Sequence, residues 1–130
     1  MTTGVAQIGG PYGVLTEDEI RAFVHDRLAA ADLEGRSVCV LVPDGSRSCP
    51  MPLLASAIHQ ALHGRVSRLT VLIALGTHAA MSEQALAAHL GYQAGALATS
   101  YPMMTVLNHA WWDRSAFAEV GTISAGRIAE

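Results

Sequence analysis

Two apolar segments, Val38–Val42 and Leu69–Leu75, constrain the fold of this chain more than any other feature of its sequence. Each has the length and the side chains of a buried β-strand, and Met103–Leu107 is a third segment of the same kind. Segments with apolar residues at helical spacing separate them, which is the element order of a parallel sheet with crossover helices. We therefore predict an α/β fold, a three-layer Rossmann-like domain with a mostly parallel sheet. Because the strands are apolar nearly throughout, we expect helices on both faces of this sheet.

The chain divides into a short N-terminal segment and one domain. Residues 1–15 contain four glycines and a proline and are interpreted as a loop or edge segment. Residues 16–130 are predicted to form a single α/β domain, because 130 residues suffice for one hydrophobic core.

Capping residues mark the predicted helices. Thr16, with Glu19 three residues later, forms the pattern of a capping box at the start of the first helix. The second helix is predicted over residues 52–63, and the third runs from Ser82 to about Leu90. The sequence AEVGTI, residues 118–123, is a candidate fourth strand.

The charge of the chain excludes several classes of function. The formal net charge is −3, so the chain has no electrostatic basis for binding nucleic acid or an anionic membrane surface. All of its 8 basic residues are arginines, and the absence of lysine excludes a Walker-type phosphate lysine and a lysine-tethered cofactor within this chain. The N-terminus has no signal-peptide pattern and no apolar run is long enough to span a bilayer, so we expect a cytoplasmic protein.

Polar residues follow each predicted strand. The first strand leads into Asp44, Gly45, Ser46 and Arg47; the second leads into Gly76, Thr77 and His78; the third leads into Asn108 and His109. Since parallel strands end at one edge of a sheet, we expect a shared site there. Each group also has an ordinary interpretation, as a turn former, a solvated loop charge or a surface histidine.

One other pair of residues has metal-ligand spacing. His59 and His63 are four residues apart on a predicted helix and would share one face. No third ligand is near in sequence, so we predict no metal site in this chain.

The segments VPDGSRSCP and ALGTHAAMSEQAL carry a family resemblance. Together they resemble the strand-end motifs of the N-terminal catalytic domain in the nickel-pincer lactate racemase family, and VLNHAWWD resembles the following strand end more weakly. The resemblance covers about residues 14–126. Ser46 replaces a threonine of the family motif, and Ser48 replaces the proline after the arginine.

The resemblance implies roles for individual residues. Arg47 would bind the carboxylate of a small 2-hydroxy acid, and His78 would be one of two histidines that exchange the substrate hydroxyl proton. Asp44, Gly45 and Ser46 would bind the cofactor, with Asp44 and Ser46 positioning its ribose or phosphate or orienting Arg47. In the complete family enzyme, a nickel-pincer nucleotide accepts hydride and returns it to either face, which racemises or epimerises the substrate.

This chain lacks other parts of the family enzyme. The second catalytic histidine, the cofactor-tethering lysine and the nickel-ligating histidine of the family belong to later segments. We therefore expect a truncated member that binds no cofactor and has no racemase activity by itself. Its partner would be the missing C-terminal portion or a second copy of the chain.

Two alternatives remain. One is a non-catalytic α/β module that binds a nucleotide or another anion, which the absence of lysine favours. The other is a hydrolase using Ser46, His78 and Asp44, although Ser46 does not lie in a GxSxG sequence.

Overall fold

A computed structural model describes residues 5–129. Its three strands form one parallel sheet in the order β1-β2-β3, which confirms the predicted Rossmann-like α/β fold. Strand β1 comprises Ser37–Pro43, β2 comprises Arg68–Ala74 and β3 comprises Met104–Asn108.

Along the chain, helices precede, connect and follow these strands. Helix α1 comprises Glu17–Ala29, α2 comprises Met51–Leu62 and α3 comprises Glu83–Leu90. Two single-turn helices, α4 and α5, and a 3₁₀ turn complete the fold; they comprise Leu97–Ser100, Ala125–Ile128 and Arg114–Ala116 respectively. Over residues 5–129, no helix combines the length and the hydropathy that a bilayer span requires.

The helix ends follow the predicted capping chemistry. Thr16 and Glu19 form a complete capping box at the start of α1. The Ser82 hydroxyl accepts a hydrogen bond from the backbone N–H of Ala85 at the start of α3. Gly91 ends α3 with a left-handed φ of 78°, a conformation that glycine adopts without steric cost.

Helices cover only one face of the sheet among the described residues. Helix α1 packs on α2, and α2 packs on α3. The sheet residues that contribute to the core on this covered face are Val42, Leu69, Val71, Ile73 and Met104. On the opposite, open face, Leu41 and Leu107 are exposed, so the second helical layer expected from the apolar strands is not found within residues 5–129.

The order of the strands accounts for this difference. Right-handed crossovers that move in one direction, from β1 to β2 to β3, place both connecting helices on the same side. Covering the other face requires a connection in the opposite direction. The apolar strands therefore correctly predicted a parallel sheet, but they did not predict which elements would cover it.

The sequence also predicts a loop or edge segment over residues 1–15 and a fourth strand over residues 118–123. Residues 5–15 contain no regular element beyond an isolated bridge between Gly10 and Gly13, as expected for a loop, and residues 1–4 lie outside the described part. The predicted fourth strand at 118–123 is wrong: this segment is exposed and pairs with no strand within residues 5–129. Its apolar side chains matched a strand pattern, but a strand also needs a hydrogen-bonding neighbour.

The strand register brings the strand ends together. Pro43 pairs with Ala74 at the end of β1 and β2, and Ile73 pairs with Asn108 at the end of β3. One residue after the end of β3, the His109 N–H donates a hydrogen bond to the Ile73 carbonyl at 3.1 Å. The residues that follow all three strands consequently begin at one edge of the sheet.

Candidate functional site

A solvent-open cavity of about 480 Å³ lies at the carboxyl ends of β1 and β2. It brings Arg47 and His78 together, as predicted from their positions after parallel strands. Its lining consists of the last residues of the two strands and the loops that follow, namely Leu41, Val42, Pro43, Asp44, Ser46, Arg47, Ala74, Leu75, Gly76, Thr77 and His78.

The loop after β1 is organised by the carboxylate of Asp44. Its Oδ1 accepts hydrogen bonds from the backbone N–H of Ser46 at 3.1 Å and from the Ser46 hydroxyl at 2.5 Å. The Arg47 N–H donates to the Asp44 carbonyl at 3.3 Å, which closes the turn. The strand thus ends in a turn of the kind that Asp and Ser favour.

Gly45 lies within this turn but is not among the residues that line the cavity. A Cβ at this position would meet the Met81 Cε at 3.7 Å, which is an ordinary contact distance. The predicted cofactor-binding role of Gly45 therefore has no geometric support among residues 5–129, and it stays a prediction.

The loop after β2 presents His78. Gly76 has a φ of 61°, and the His78 N–H donates to the Leu75 carbonyl at 2.9 Å to form a tight turn. This turn directs the histidine toward the β1 loop, where its Nδ1 lies 2.6 Å from the Asp44 Oδ2. The imidazole remains largely exposed on its other side, whereas the Asp44 side chain is nearly buried.

The ionisation of Asp44 determines the direction of this contact. The Ser46 hydroxyl, followed by His78, lowers the pKa of Asp44 to about 2, so the carboxyl is ionised near neutral pH. An ionised carboxylate has no proton to give, so His78 Nδ1 is the donor. In the neutral ring, Nε2 then carries a lone pair and is available as a proton acceptor.

Arg47 is exposed at the mouth of the same cavity. Within residues 5–129 its guanidinium forms no ion pair and no side-chain hydrogen bond, unlike Arg36 and Arg65, which pair with Asp32 and Glu34. A planar, permanently charged group without an internal partner can bind an external anion in a bidentate manner.

The third strand end contributes support rather than cavity lining. The Asn108 side chain accepts from the Met81 N–H at 2.9 Å and donates to the Met81 carbonyl at 3.0 Å. The Trp111 indole donates to the His78 carbonyl at 2.8 Å. Both contacts fix the backbone of the segment that carries His78. His109 lines a separate, adjoining cavity of about 270 Å³ on the open face, together with Leu41, Leu72, Ala74 and Gly76.

Sequence reasoning missed three of these supporting residues. Asn108 was expected within the site itself, and neither Trp111 nor His89 was given a role. His89 reaches from α3 to the end of β1, where its Nε2 lies 2.8 Å from the Pro43 carbonyl. A polar residue just after a strand signals the edge of a sheet, but its hydrogen-bonding partner depends on tertiary structure.

The other histidine pair is structural. The rings of His59 and His63 stack with centroids 4.9 Å apart, and His59 Nε2 lies 2.8 Å from the Pro102 carbonyl. The part of the chain that the structure describes contains no cluster of three or more potential metal-ligating side chains. The stacked pair is thus built into the packing between α2 and the start of β3.

The hydrolase alternative lacks the required order of hydrogen bonds. A Ser-His-Asp triad places the imidazole between the hydroxyl and the carboxylate. Here the carboxylate of Asp44 lies in the middle and accepts from both Ser46 and His78. The Ser46 hydroxyl is therefore not activated by a histidine.

A family model for the lactate racemase N-terminal domain matches residues 19–129. The chain belongs to this family. The match includes both strand-end loops and their supporting residues. None of the curated proteins matches the chain.

The fold of this lactate racemase N-terminal domain is similar to that of a solved structure. The crystal structure of a Thermotoga maritima protein has a TM-score of 0.74 to this chain at 24% sequence identity. The match covers 88% of this chain and 26% of the Thermotoga protein, so the chain spans about a quarter of that protein's length. This likeness supports the fold alone.

Proposed function

We propose that this chain supplies the substrate-carboxylate arginine and one proton-exchanging histidine of a 2-hydroxy-acid racemase or epimerase. The observation that carries the proposal is that Arg47 and His78 line one cavity at the strand ends. A small 2-hydroxy acid presents a carboxylate and a hydroxyl on adjacent carbons, so it needs an anion-binding group and a proton acceptor close together. Membership of the lactate racemase family supports this substrate class.

Arg47 would bind the substrate carboxylate. Its guanidinium is exposed in the cavity and is not engaged by an acidic side chain within residues 5–129. Two parallel N–H···O bonds would fix the plane of the carboxylate and therefore the direction of the adjacent carbon. A lysine at this position would keep the charge but lose the planar pair of donors.

His78 would exchange the proton of the substrate hydroxyl. Its Nδ1 is occupied by Asp44, which leaves Nε2 as the atom that accepts the proton and returns it. An imidazole suits this exchange because its unperturbed pKa lies near neutral pH.

The family is consistent with a nickel-pincer nucleotide in the complete enzyme, where that group would take up hydride from the substrate carbon. The residues of this chain do not fit its covalent and metal-binding ends. The sequence has no lysine, and residues 5–129 contain no cluster of metal-ligating side chains. We therefore expect no racemisation by this chain alone.

A second candidate is a non-catalytic module that binds a nucleotide or another anion. The free Arg47 and the polar loop residues Ser46 and Thr77 in a single open cavity favour it. This candidate requires an anionic group but no hydroxyl next to it. The two functions therefore differ in the ligand that they select.

Binding measurements on the isotopically labelled chain test the proposal. We expect lactate to shift the NMR signals of Arg47 and His78, and lactamide, which keeps the hydroxyl but lacks the negative charge, to shift them far less. Arg47→Lys should weaken lactate binding by about tenfold or more, which corresponds to loss of one charge-assisted hydrogen bond. Arg27→Lys is the matched control, since Arg27 is an exposed arginine on α1 outside this cavity.

Three results would count against the proposal. Equal shifts from lactate and lactamide would exclude recognition of the carboxylate. Equal effects of Arg47→Lys and Arg27→Lys would make Arg47 an ordinary surface charge. A nucleoside monophosphate that binds strongly while acetate and lactate bind equally weakly would favour the nucleotide-binding module.

A further inference from the structure

We propose that Asp44 is a positioning residue that fixes the tautomer and the ring orientation of His78, so that His78 Nε2 faces the cavity as a proton acceptor. This inference rests on the function proposed above in one respect, namely that Nε2 is the atom that exchanges the substrate proton. It assigns Asp44 a task different from the cofactor contact that the family resemblance implies.

The carboxylate of Asp44 is itself held in place. It is buried, with 7% of the residue exposed, and the backbone N–H and hydroxyl of Ser46 both bind its Oδ1. These two contacts prevent free rotation of the carboxylate and direct Oδ2 toward His78, at 2.6 Å from Nδ1. Three donors occupy a group that accepts about four hydrogen bonds in total, so little capacity is left for a cofactor hydroxyl.

The backbone around His78 is fixed independently of Asp44. Trp111 holds the His78 carbonyl, and Asn108 holds both backbone groups of Met81 three residues later. The imidazole, in contrast, is about 60% exposed, and Asp44 is its hydrogen-bonding partner among residues 5–129. Rotation and tautomer of the ring therefore depend mainly on this one carboxylate.

A second turn in the same chain provides an internal control. Asp113 accepts from the backbone N–H and the hydroxyl of Ser115 at 2.9 and 2.7 Å, which repeats the Asp44–Ser46 arrangement. Within the described residues, Ser115 donates both hydrogen bonds to the Asp113 carboxylate, and no histidine forms a hydrogen bond or ion pair with it. Asp→Asn substitutions at the two positions thus make the same change in the same local turn, but only one of them changes the partner of an imidazole.

The tautomer is directly measurable by ¹⁵N NMR of the ring nitrogens. In the unsubstituted protein, above the pH at which the ring is protonated, we expect His78 to carry its proton on Nδ1. This first test needs no variant. Observation of the Nε2–H form, which free histidine favours, would overturn the inference.

Asp44→Asn is the second test. An asparagine can present its NH₂ group to Nδ1, which would convert that nitrogen to an acceptor and move the ring proton to Nε2. We expect the Nδ1–H form to change from the major to the minor form in Asp44→Asn and to remain the major form in Asp113→Asn. An unchanged His78 tautomer in a folded Asp44→Asn variant, judged by its other amide signals, would overturn the inference.

The tautomer test of this inference and the lactate-binding test of the proposed function can fail independently of each other. Lactate binding measured on the same samples reports on Arg47 and the substrate, whereas the tautomer is measured without ligand. If the tautomer depends on Asp44 but lactate causes no shift, Asp44 positions His78 and the 2-hydroxy-acid proposal fails. If lactate binds but the tautomer does not respond to Asp44→Asn, the substrate proposal survives and the positioning role fails.

Discussion

The two faces of the same small sheet have very different surroundings. On the covered face, Leu69 and Val71 are each 3% exposed and Ile73 is fully buried. On the open face, Leu41 is 69% exposed and Leu107 is 49% exposed, although they belong to the strands on either side of β2 and both pair with Leu72. The difference shows that strand hydrophobicity and strand burial are separate properties in this chain.

The covered face holds the fold together, and the open face adjoins the candidate site. The strand-end cavity includes Leu41 and Ala74, and the adjoining cavity beside His109 lies on the same open face. The helical side also supports the site, since the His89 Nε2 on α3 lies 2.8 Å from the Pro43 carbonyl at the end of β1. The site thus lies at the edge where a packed layer meets an exposed apolar surface.

The largest expected effect separates the two faces directly. Ile73→Ala should lower the free energy of unfolding by about 2–5 kcal/mol, because it leaves a cavity in a packed core. Leu41→Ala should change it by about 0.5 kcal/mol or less, since that side chain is largely in water. Urea unfolding of both variants measures the contrast. A Leu41→Ala cost close to that of Ile73→Ala would show that the open face is covered in solution.

A second prediction tests how tightly the helical layer is packed. In Gly91→Ala the new Cβ would lie 2.7 Å from the Pro52 Cβ, and φ would remain at 78°. We expect a loss of about 2–3 kcal/mol in unfolding free energy from backbone strain and overlap combined. Gly95→Ala is the matched control, because its φ is 80° but nothing lies within 4 Å of the new Cβ.

The difference between these glycine variants isolates the contact between α3 and α2. Backbone strain alone should cost Gly95→Ala about 1–2 kcal/mol. Identical losses in the two variants would mean that the contact between Gly91 and Pro52 adjusts at little energetic cost. The covered layer would then be packed less densely than the burial of its core implies.

Local chemistry determined which parts of this structure could be predicted from sequence. The capping residues Thr16 and Ser82 act within a few positions of themselves, so their helix starts were predictable. The convergence of Arg47 and His78 followed from the parallel order of strands, which is a topological rule.

The unpredicted parts depend on distant partners. The side chains of residues 118–123 favoured a strand, but no neighbouring strand pairs with them within residues 5–129. Asn108 was expected in the site because it follows a strand, yet it binds the backbone of Met81, 27 residues away. The exposed face of the sheet likewise depends on strand order, which apolar periodicity does not specify.

A smaller effect is expected from two tyrosines on the covered side. The buried Tyr101 hydroxyl donates to the Leu90 carbonyl at 2.9 Å, in the last turn of α3. Tyr101→Phe leaves that carbonyl without its donor and should cost about 1 kcal/mol of unfolding free energy. The Tyr92 hydroxyl is buried and makes no hydrogen bond of good geometry among the described residues, although burial and the nearby Glu83 carboxylate raise its pKa, so Tyr92→Phe should cost less than Tyr101→Phe. Equal losses in the two variants would indicate that Tyr92 has a partner in solution.

The smallest effect is expected at the edge between the two faces, and it depends on pH. Ser46 is the main cause of the low pKa of Asp44, about 2, so Ser46→Ala should raise that pKa toward its ordinary value near 3.8. A depressed carboxyl pKa stabilises the fold above the unfolded-state pKa, and this contribution is lost as pH falls through the folded-state value. The unfolding free energies of the parent and of Ser46→Ala should therefore differ most above about pH 4 and converge near pH 2.

The matched variant for this last measurement is Ser115→Ala, which removes the corresponding hydroxyl from Asp113. It should raise the pKa of Asp113, which Ser115 holds low, and leave the carboxyl titration of Asp44 unchanged. Carboxyl ¹³C shifts followed from pH 6 to pH 1.5 resolve the two residues separately. A normal titration of Asp44 in the parent protein would contradict the hydrogen bonds that Ser46 and His78 make to its carboxylate, because those bonds favour the ionised form and should lower its pKa. A low pKa that persists in Ser46→Ala would instead show that His78, together with the backbone N–H of residue 46, suffices to hold the pKa of Asp44 low without the hydroxyl.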